Sequence, residues 1–383
     1  MSNLSYWEKS IYFHDVDVAI IGAGIVGLCT GISLLEKDPA MRVIILERHY
    51  LPLGASTKNA GFACFGSPSE LLDDLQHHDE SKVFSLFKRR YDGIQKLLHY
   101  TGSHAIDLKR DGGFELIHPA HSSLAFGEKE IQNLNAKIHE YTGLENYFHF
   151  DDQKLKEFGL KGFDHLVANK HEAGLHPVKM IEVLSKLFSD KGGKILFGAK
   201  LQSWHEQEKF VNIELQDQTI FSVRKLIFCV NGFAKKLLPE LQVQAARNMV
   251  LMIQPTKSLK LKGCFHMDRG YVYMRDLDGK LLIGGGRNRE LETEFTDEFG
   301  INENVKSFLL EFVKDNILAN DDFKITDQWS GILGLGPEKK PIIKMISNHI
   351  AVAVRMGGMG VAIGSLVGEE AADMLHVSIN ELH

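Results

Sequence analysis

A chain of 383 residues with 44% hydrophobic and 25% charged side chains can bury a core for roughly two or three domain-sized units, which excludes disorder and a multi-span membrane protein. The net charge of -6 lacks the basic density that a nucleic-acid groove needs. The opening stretch MSNLSYWEKSIYFHD has no signal-peptide pattern, and Cys29, Cys64, Cys229 and Cys264 form no CxxC pair, so a cytoplasmic location with reduced, buried thiols is expected.

Residues 18–35, VAIIGAGIVGLCTGISLL, carry no charge and lie at the lower edge of what spans a ~30 Å hydrocarbon core. A membrane helix has no need of glycines at fixed offsets. Here Gly22, Gly24 and Gly27 follow the β-rich run Val16 to Ile21 as G-x-G-x-x-G, with Ala23, Ile25 and Val26 between and after them. That order is strand, tight turn, helix. Gly22 allows the turn, Gly24 lets the backbone approach a pyrophosphate, and Gly27 permits close packing of helix on strand, the phosphates meeting free N–H groups at the helix N-terminus. The helical spacing of Leu28, Ile32 and Leu35 stops at Asp38-Pro39, and a second strand, Arg42 to Leu46, ends in Glu47. An acid there accepts hydrogen bonds from a ribose 2′-OH, which argues against NADP and leaves NAD and FAD open.

After Glu47-Arg48 comes the small-residue loop Gly54-Ala55-Ser56-Thr57-Lys58-Asn59-Ala60-Gly61. GAGIVG, ILER and GASTKNAG, in that order, resemble the D-amino-acid oxidase type of FAD-dependent oxidoreductase, which includes glycine oxidase and γ-glutamylputrescine oxidase. Leu226 to Phe233, with Asn231-Gly232, resembles that family's later strand and small-residue turn beside the cofactor. Trp329-Ser330-Gly331 is similar to its W-x-G segment, and Arg355-Met356-Gly357-Gly358-Met359-Gly360-Val361 to its final Gly-rich turn.

The resemblance implies FAD as cofactor. It places Ser56, Thr57, Asn59, Ala60 and Gly61 along the ribityl chain and ring, and the N-terminus of a helix reaching about Met374 at the flavin's pyrimidine edge. Two departures stand out. Gly358-Met359-Gly360 stands where relatives often show Gly-His-Gly, so the FAD is expected to be non-covalent. Glycine oxidase-like members carry a carboxylate-binding arginine near the position of Leu333, which puts that particular assignment in doubt.

Between these segments, Val83, Phe87, Tyr91, Ile94 and Leu98 predict a helix over 79–101 that stops at Gly102. Asp111-Gly112 predicts a hairpin joining Ile106–Leu108 to Phe114–Leu116, and Asp278-Gly279 one joining Tyr271–Arg275 to Lys280–Ile283. A helix from Pro177, with Met180, Ile181, Leu184 and Leu187 on one face, leads into the strand Lys194–Phe197. The predicted fold class is α/β plus α+β. A discontinuous Rossmann-like FAD-binding domain takes residues 1–78, 170–234 and 326–383, and an interleaved antiparallel-sheet substrate domain takes 79–169 and 235–325.

Flavin chemistry of this kind needs a cation for a substrate carboxylate and a wall that holds the reacting carbon ~3–3.5 Å from N5. Arg275 is the first candidate, since Tyr271, Tyr273 and Arg275 alternate onto one strand face and arginine grips a carboxylate through two parallel bonds. A surface arginine beside a hairpin turn is the competing reading. Tyr273 either closes the pocket or is a half-exposed sheet tyrosine. Arg355, just before the final glycine turn, either binds substrate or forms an ion pair at a strand end. Arg287, after Gly284-Gly285-Gly286, is weaker, because the triple glycine can simply turn a strand. Lys58 is read as a solvent-facing loop residue ahead of a cation beside the flavin. His171-Glu172 and His176 miss the i, i+4 zinc spacing, and no metal site is expected.

The leading expectation is therefore oxidation of the C–N bond of an amino acid or small amine, by hydride transfer to flavin N5, giving an imine that hydrolyses. Oxidation of a 2-hydroxy acid is the alternative, and a flavin-binding subunit without turnover is a third reading. O2 or another electron acceptor would reoxidise the flavin, no nucleic-acid partner or transmembrane segment is expected, and a homo-oligomer is left open.

Overall fold

The computed structural model describes residues 4–118, 126–319 and 321–380. Its first sheet is built on four parallel pairings. Ile350–Val354, Ile220–Phe228, Val16–Ile21, Val43–Glu47 and Lys194–Phe197 run in that order, with the antiparallel strand Ile342–Met345 outside the first. Strand Val16–Ile21 sits in the middle and is buried on both faces: Val18 and Ile20 join the core under the helices, Ala19 and Ile21 the core on the other side. Continuous burial is what a parallel sheet demands of its central strands, and it accounts for the uncharged run in the sequence. Helices Ile25–Lys37, Pro177–Asp190 and Gly360–Asn380 cover one face. The antiparallel strands Leu201–Glu206 and Val211–Leu215, attached to Ile220–Phe228, pack on the other.

The second sheet takes Phe323–Leu335, Gln244–Pro255, Lys280–Gly285, Val272–Leu277, Cys264–Met267, Gly113–Ile117, His165–Asn169 and His149–Phe150 in spatial order. All its pairings are antiparallel except that of Cys264–Met267 with Gly113–Ile117. Strand alternation gives it two unlike faces. Met249, Leu251, Phe265, Val272, Met274 and Ile283 enter a core closed by helix Glu303–Phe312. The residues between them, Asn248, Cys264, His266, Tyr273 and Arg275, point the opposite way, toward the first sheet.

The hairpin expected at Asp278-Gly279 forms, with Leu277 opposite Lys280 and positive φ at both turn residues. The one expected at Asp111-Gly112 does not. Strand Gly113–Ile117 has Cys264–Met267 on one edge and His165–Asn169 on the other, so no edge is left for Ile106–Leu108, which turns instead before Lys109 pairs with Gly174. Strand Phe323–Leu335 also differs from the expected boundary at 326: all of it pairs along Gln244–Pro255, so the W-x-G segment belongs to the second sheet. The predicted helix forms as Glu80–Thr101 and ends at Gly102, φ 65°. It packs against Gly360–Asn380 so closely that a Cβ on Gly93 would stand 2.0 Å from the carbonyl oxygen of Ala362.

Candidate active site

The carboxyl ends of the parallel strands and the inner face of the second sheet enclose a cavity of about 750 Å³. Its first end is the predicted phosphate turn. Gly22 turns the chain at φ 105°, and Gly24, Ile25 and Val26 line the wall where helix Ile25–Lys37 begins. Ala23 and Gly27 do not line it, and both serve the turn from behind. The N–H of Ala23 donates to Glu47 Oε2 at 3.1 Å, and Gly27 packs on the carbonyl of Gly22. Glu47 ends its strand 7% exposed, on the wall beside Arg48, whose guanidinium lies 4.1 Å over the Phe233 ring.

The second loop continues this wall as the short helix Ala55–Lys58. Ser56, Lys58, Asn59 and Ala60 line the cavity, so Lys58 does not face bulk solvent as expected. Thr57 and Gly61 lie behind it: the Thr57 hydroxyl donates to the carbonyls of Pro52 and Gly54, and Gly61 N–H donates to Asn59 Oδ1 at 2.8 Å. Ser56 also ties the two segments together, accepting from Ile25 N–H at 3.0 Å.

Asn231, at φ 46°, lines the wall and accepts from Met356 N–H at 3.1 Å, whereas Gly232 packs against the backbone of Leu333. Met356, Gly357, Gly358, Met359, Gly360 and Val361 complete that side, with positive φ at Gly357 and Gly358, and helix Gly360–Asn380 starts at the wall. A turn that approaches a phosphate without a side chain, a terminal acid and two helix N-termini on one cavity suit a flavin dinucleotide, whose phosphates and reduced ring are anionic.

Residues 17–374 match the family model described as FAD dependent oxidoreductase, DAO. The chain belongs to this family. FAD is thus the cofactor of an oxidoreductase, and the turn, the acid and the two helix N-termini of this cavity are the residues that would hold it. A probable oxidoreductase, OrdL, from Haemophilus influenzae is 22% identical to the flavoprotein over 98% of this chain and 90% of its own. L-2-hydroxyglutarate dehydrogenase of Escherichia coli is 23% identical over 60% of this chain and 50% of its own. Glycine oxidase from Geobacillus kaustophilus shares the fold at TM-score 0.72, with 17% identity and 95% of each chain covered. No helix among the described residues is long and apolar enough to cross a membrane.

The rest of the flavoprotein's cavity is formed by the second sheet, and here the arginines change places. Arg275 does share its strand face with Tyr273, but two residues farther along, where the cavity has closed. Its guanidinium lies over Gly174 and donates to the carbonyls of Gly61 at 2.8 Å, Leu175 at 3.2 Å and Asp276 at 3.3 Å. Those bonds fasten the second loop to the sheet, and the buried guanidinium does not line the cavity. Arg355 also lies off the cavity: at φ 68° it donates to Lys340 O at 2.9 Å and Gln242 O at 3.2 Å. Neither is a carboxylate clamp. Arg275→Met is expected to cost about 2–4 kcal/mol of stability through orphaned carbonyls. Thermal unfolding and substrate titration together check this, since a steep rise in KM at unchanged stability would contradict it.

Arg287 stands on the cavity wall instead. It lines the cavity, half-buried, 4.9 Å over the Tyr271 ring, and has no hydrogen-bond or ion-pair partner among the described residues. Two other cations of the lining face carboxylates: Arg269 meets Asp73 at 3.3 Å, and Lys339 meets Glu70 at 3.1 Å and Asp74 at 2.7 Å. Burial works against the Glu70 carboxylate, yet Arg90 and Lys339 outweigh it and hold Glu70 down to about 2.

Tyr273 lines the cavity. Its ring covers Gly284 and its hydroxyl accepts from Asn248 Nδ2 at 3.1 Å, while burial raises its phenol well above the ordinary range. Phe62 meets both Tyr273 and His266 edge-on, at 5.6 and 5.4 Å.

His266 and Glu172 were not among the predicted site residues, and they form a buried ionic pair behind this wall, which His266 lines. Nε2 of His266 meets Glu172 Oε2 at 3.2 Å, with side-chain exposures of 14% and 1%. Burial alone would depress the imidazole, but the Glu172 charge and hydrogen bond lift it to about 9, and the same pairing overcomes burial to hold Glu172 below its usual range. Cys64 lies beside them, its thiol pushed up by burial. A signal for His266 was present in the sequence: in CFHM it is the one strongly polar residue between Phe265 and Met267, on the strand face turned from the core.

Proposed function

We propose that this flavoprotein oxidises the C–N bond of an amino acid or another small amine that carries a carboxylate. Arg287 is the observation that carries the reading: a guanidinium on the cavity wall without an ion-pair partner among the described residues, beside Arg269 and Lys339, which already face carboxylates. Bound FAD supplies the two-electron acceptor, taking a hydride from the substrate carbon. The chain's own residues bind and orient. Arg287 grips the carboxylate, Tyr271 holds the guanidinium plane, and Phe62 with Tyr273 supplies an apolar wall that shuts out water. The product imine hydrolyses after release. The FAD is held without a covalent bond, Met359 standing where a nucleophilic histidine would be, so heat-precipitated protein is expected to leave its yellow colour in the supernatant.

Oxidation of a 2-hydroxy acid uses the same carboxylate grip and is the second reading, favoured by the similarity to L-2-hydroxyglutarate dehydrogenase over 60% of the chain. Mixing the FAD-loaded protein anaerobically with a panel of amino acids, N-substituted glycines and 2-hydroxy acids separates the two. Bleaching by an amine supports the first, and bleaching by hydroxy acids alone replaces it with the second. Arg287→Met is expected to raise KM by about 10–100-fold for the active substrate, the loss of one charge-assisted contact, with a smaller change in kcat.

A further inference from the structure

His266 stands opposite Tyr273 in the antiparallel pairing of Cys264–Met267 with Val272–Leu277. Tyr271, under the Arg287 guanidinium, is two residues along the same strand, about 7 Å away by strand geometry. An arginine side chain bridges that gap. The Nε2 atom of His266 is committed to Glu172, and Glu172 is itself fixed, since its Oε1 accepts from Phe65 N–H at 3.0 Å. Nδ1 of His266 has no hydrogen-bond partner among the described residues, and the ring lines the cavity. The other ionisable groups facing the ring leave that atom alone. Glu115 is taken up by Ser67 Oγ at 3.0 Å, Ser69 N–H at 2.9 Å and the Ser69 hydroxyl, Cys64 is held as a neutral thiol by burial, and Cys264 is wholly buried beside Cys64. A charged ring with one N–H anchored and the other open to a cavity is a donor awaiting an anion.

We propose that His266 is a substrate-contacting residue whose Nδ1–H shares the substrate carboxylate with Arg287, and that Glu172 is the positioning residue that fixes the ring's charge and orientation. This rests on the carboxylate-bearing substrate proposed above. It assigns the anion subsite two donors on opposite sides of the Tyr271–Tyr273 wall, so a small carboxylate is held by its plane as well as its charge. It also sets a pH limit on binding: affinity is retained while His266 is protonated and lost as pH rises through about 9. Without Glu172 burial acts unopposed by that charge, and the loss moves below the ordinary histidine value of about 6.5.

The test titrates FAD-loaded protein with benzoate and with benzamide, following the flavin absorbance band between about pH 6 and pH 10, with KM and kcat measured beside it. Benzoate is expected to perturb the band and benzamide not. His266→Gln is expected to weaken benzoate at least about tenfold, the loss of one charge-assisted bond. Glu172→Gln is expected to bind benzoate weakly at pH 8 and to recover only toward the acid end of that range, a profile that a merely structural role would not produce. The pair of changes His266→Gln and Glu172→Gln removes both buried charges and is expected to reproduce the single His266→Gln loss in a folded protein.

Unchanged benzoate affinity in His266→Gln, with loss in Arg287→Met, overturns the proposal and leaves the carboxylate reading standing. Unchanged affinity in both overturns the two together. Ligand atoms of Cys64, Glu172 and His266 lie within 4.8 Å of one another, so a bound divalent metal is the rival occupant of these donors. One zinc per chain in the purified flavoprotein, lost on Cys64→Ser, would also overturn the proposal.

Discussion

Replacing His266 by leucine is expected to lower the unfolding free energy by about 3–5 kcal/mol, because Glu172 would stay behind as a buried carboxylate without its cation. The pair itself is worth less than that figure. Most of the expected loss is the penalty on the orphan, and Glu172→Gln introduced together with His266→Leu should recover the greater part of it. The pH dependence has a definite direction. His266 is raised from 6.5 to about 9 in the folded chain, so its stabilisation is fully present below pH 6.5 and disappears as pH rises through about 9. Glu172 is lowered, so its contribution is present above about 4.5 and lost as pH falls through the lower folded value. Stability from this pair therefore holds on a plateau from about pH 4.5 to 6.5 and declines toward pH 9. The single variant should lack that alkaline decline. Chemical denaturation at several pH values reads both, and a His266→Leu protein with wild-type stability at pH 6 would refute the account.

The nucleotide half of the site was legible because local sequence alone imposes it. Gly22, Gly24 and Gly27 need no distant partner to form a turn at a helix N-terminus, and Glu47 follows at the end of the very next strand. The substrate half depends on what distant segments bring together. Glu172 reaches His266 across 94 residues, and Arg275 finds Gly61 across 214, so neither fate was written in the neighbouring sequence.

Alternation placed Tyr273 and Arg275 on one face correctly. It could not say that the cavity ends between them, because that end is set by Gly174 and Leu175 on another element. Arg287 was discounted for its triple glycine. The same glycines make room for it: Gly286, at φ 75°, starts the one-turn helix Arg287–Arg289 that presents the guanidinium to Tyr271. The failed hairpin at Asp111-Gly112 has the same origin. A turn dipeptide predicts a fold-back only where the strand it serves still has a free edge, and Gly113–Ile117 has none.

Gly27→Ala is expected to yield a protein that purifies with little or no FAD, its affinity lowered by about 10–100-fold, the range set by overpacking a close-packed contact. A Cβ at this position would stand 2.1 Å from the carbonyl oxygen of Gly22 and 3.2 Å from Ile20 Cγ2. The carbonyl is backbone and cannot rotate away, so helix Ile25–Lys37 would have to back off. It has nowhere to go. On its other sides a Cβ on Gly31 would already meet Phe188 at 2.5 Å, and the helix Gly360–Asn380 touches it so tightly that Cβ atoms on Gly364 and Gly368 would come within 2.8 Å of Ile25 and 2.6 Å of Cys29. The strain therefore falls on the Gly22 turn at the cavity wall, where the phosphates would lie.

Gly24→Ala supplies the graded comparison. Its Cβ would meet only Ser56, 3.0 Å from an Oγ that holds Ile25 N–H, but it would stand on the cavity wall itself, so FAD retention is expected to fall while the fold is disturbed less than by Gly27→Ala. Flavin-to-protein absorbance after purification, followed by FAD titration of the apoproteins, orders the two variants. Equal retention of FAD by Gly27→Ala and the parent would mean that helix and turn are not the rigid unit their contacts describe.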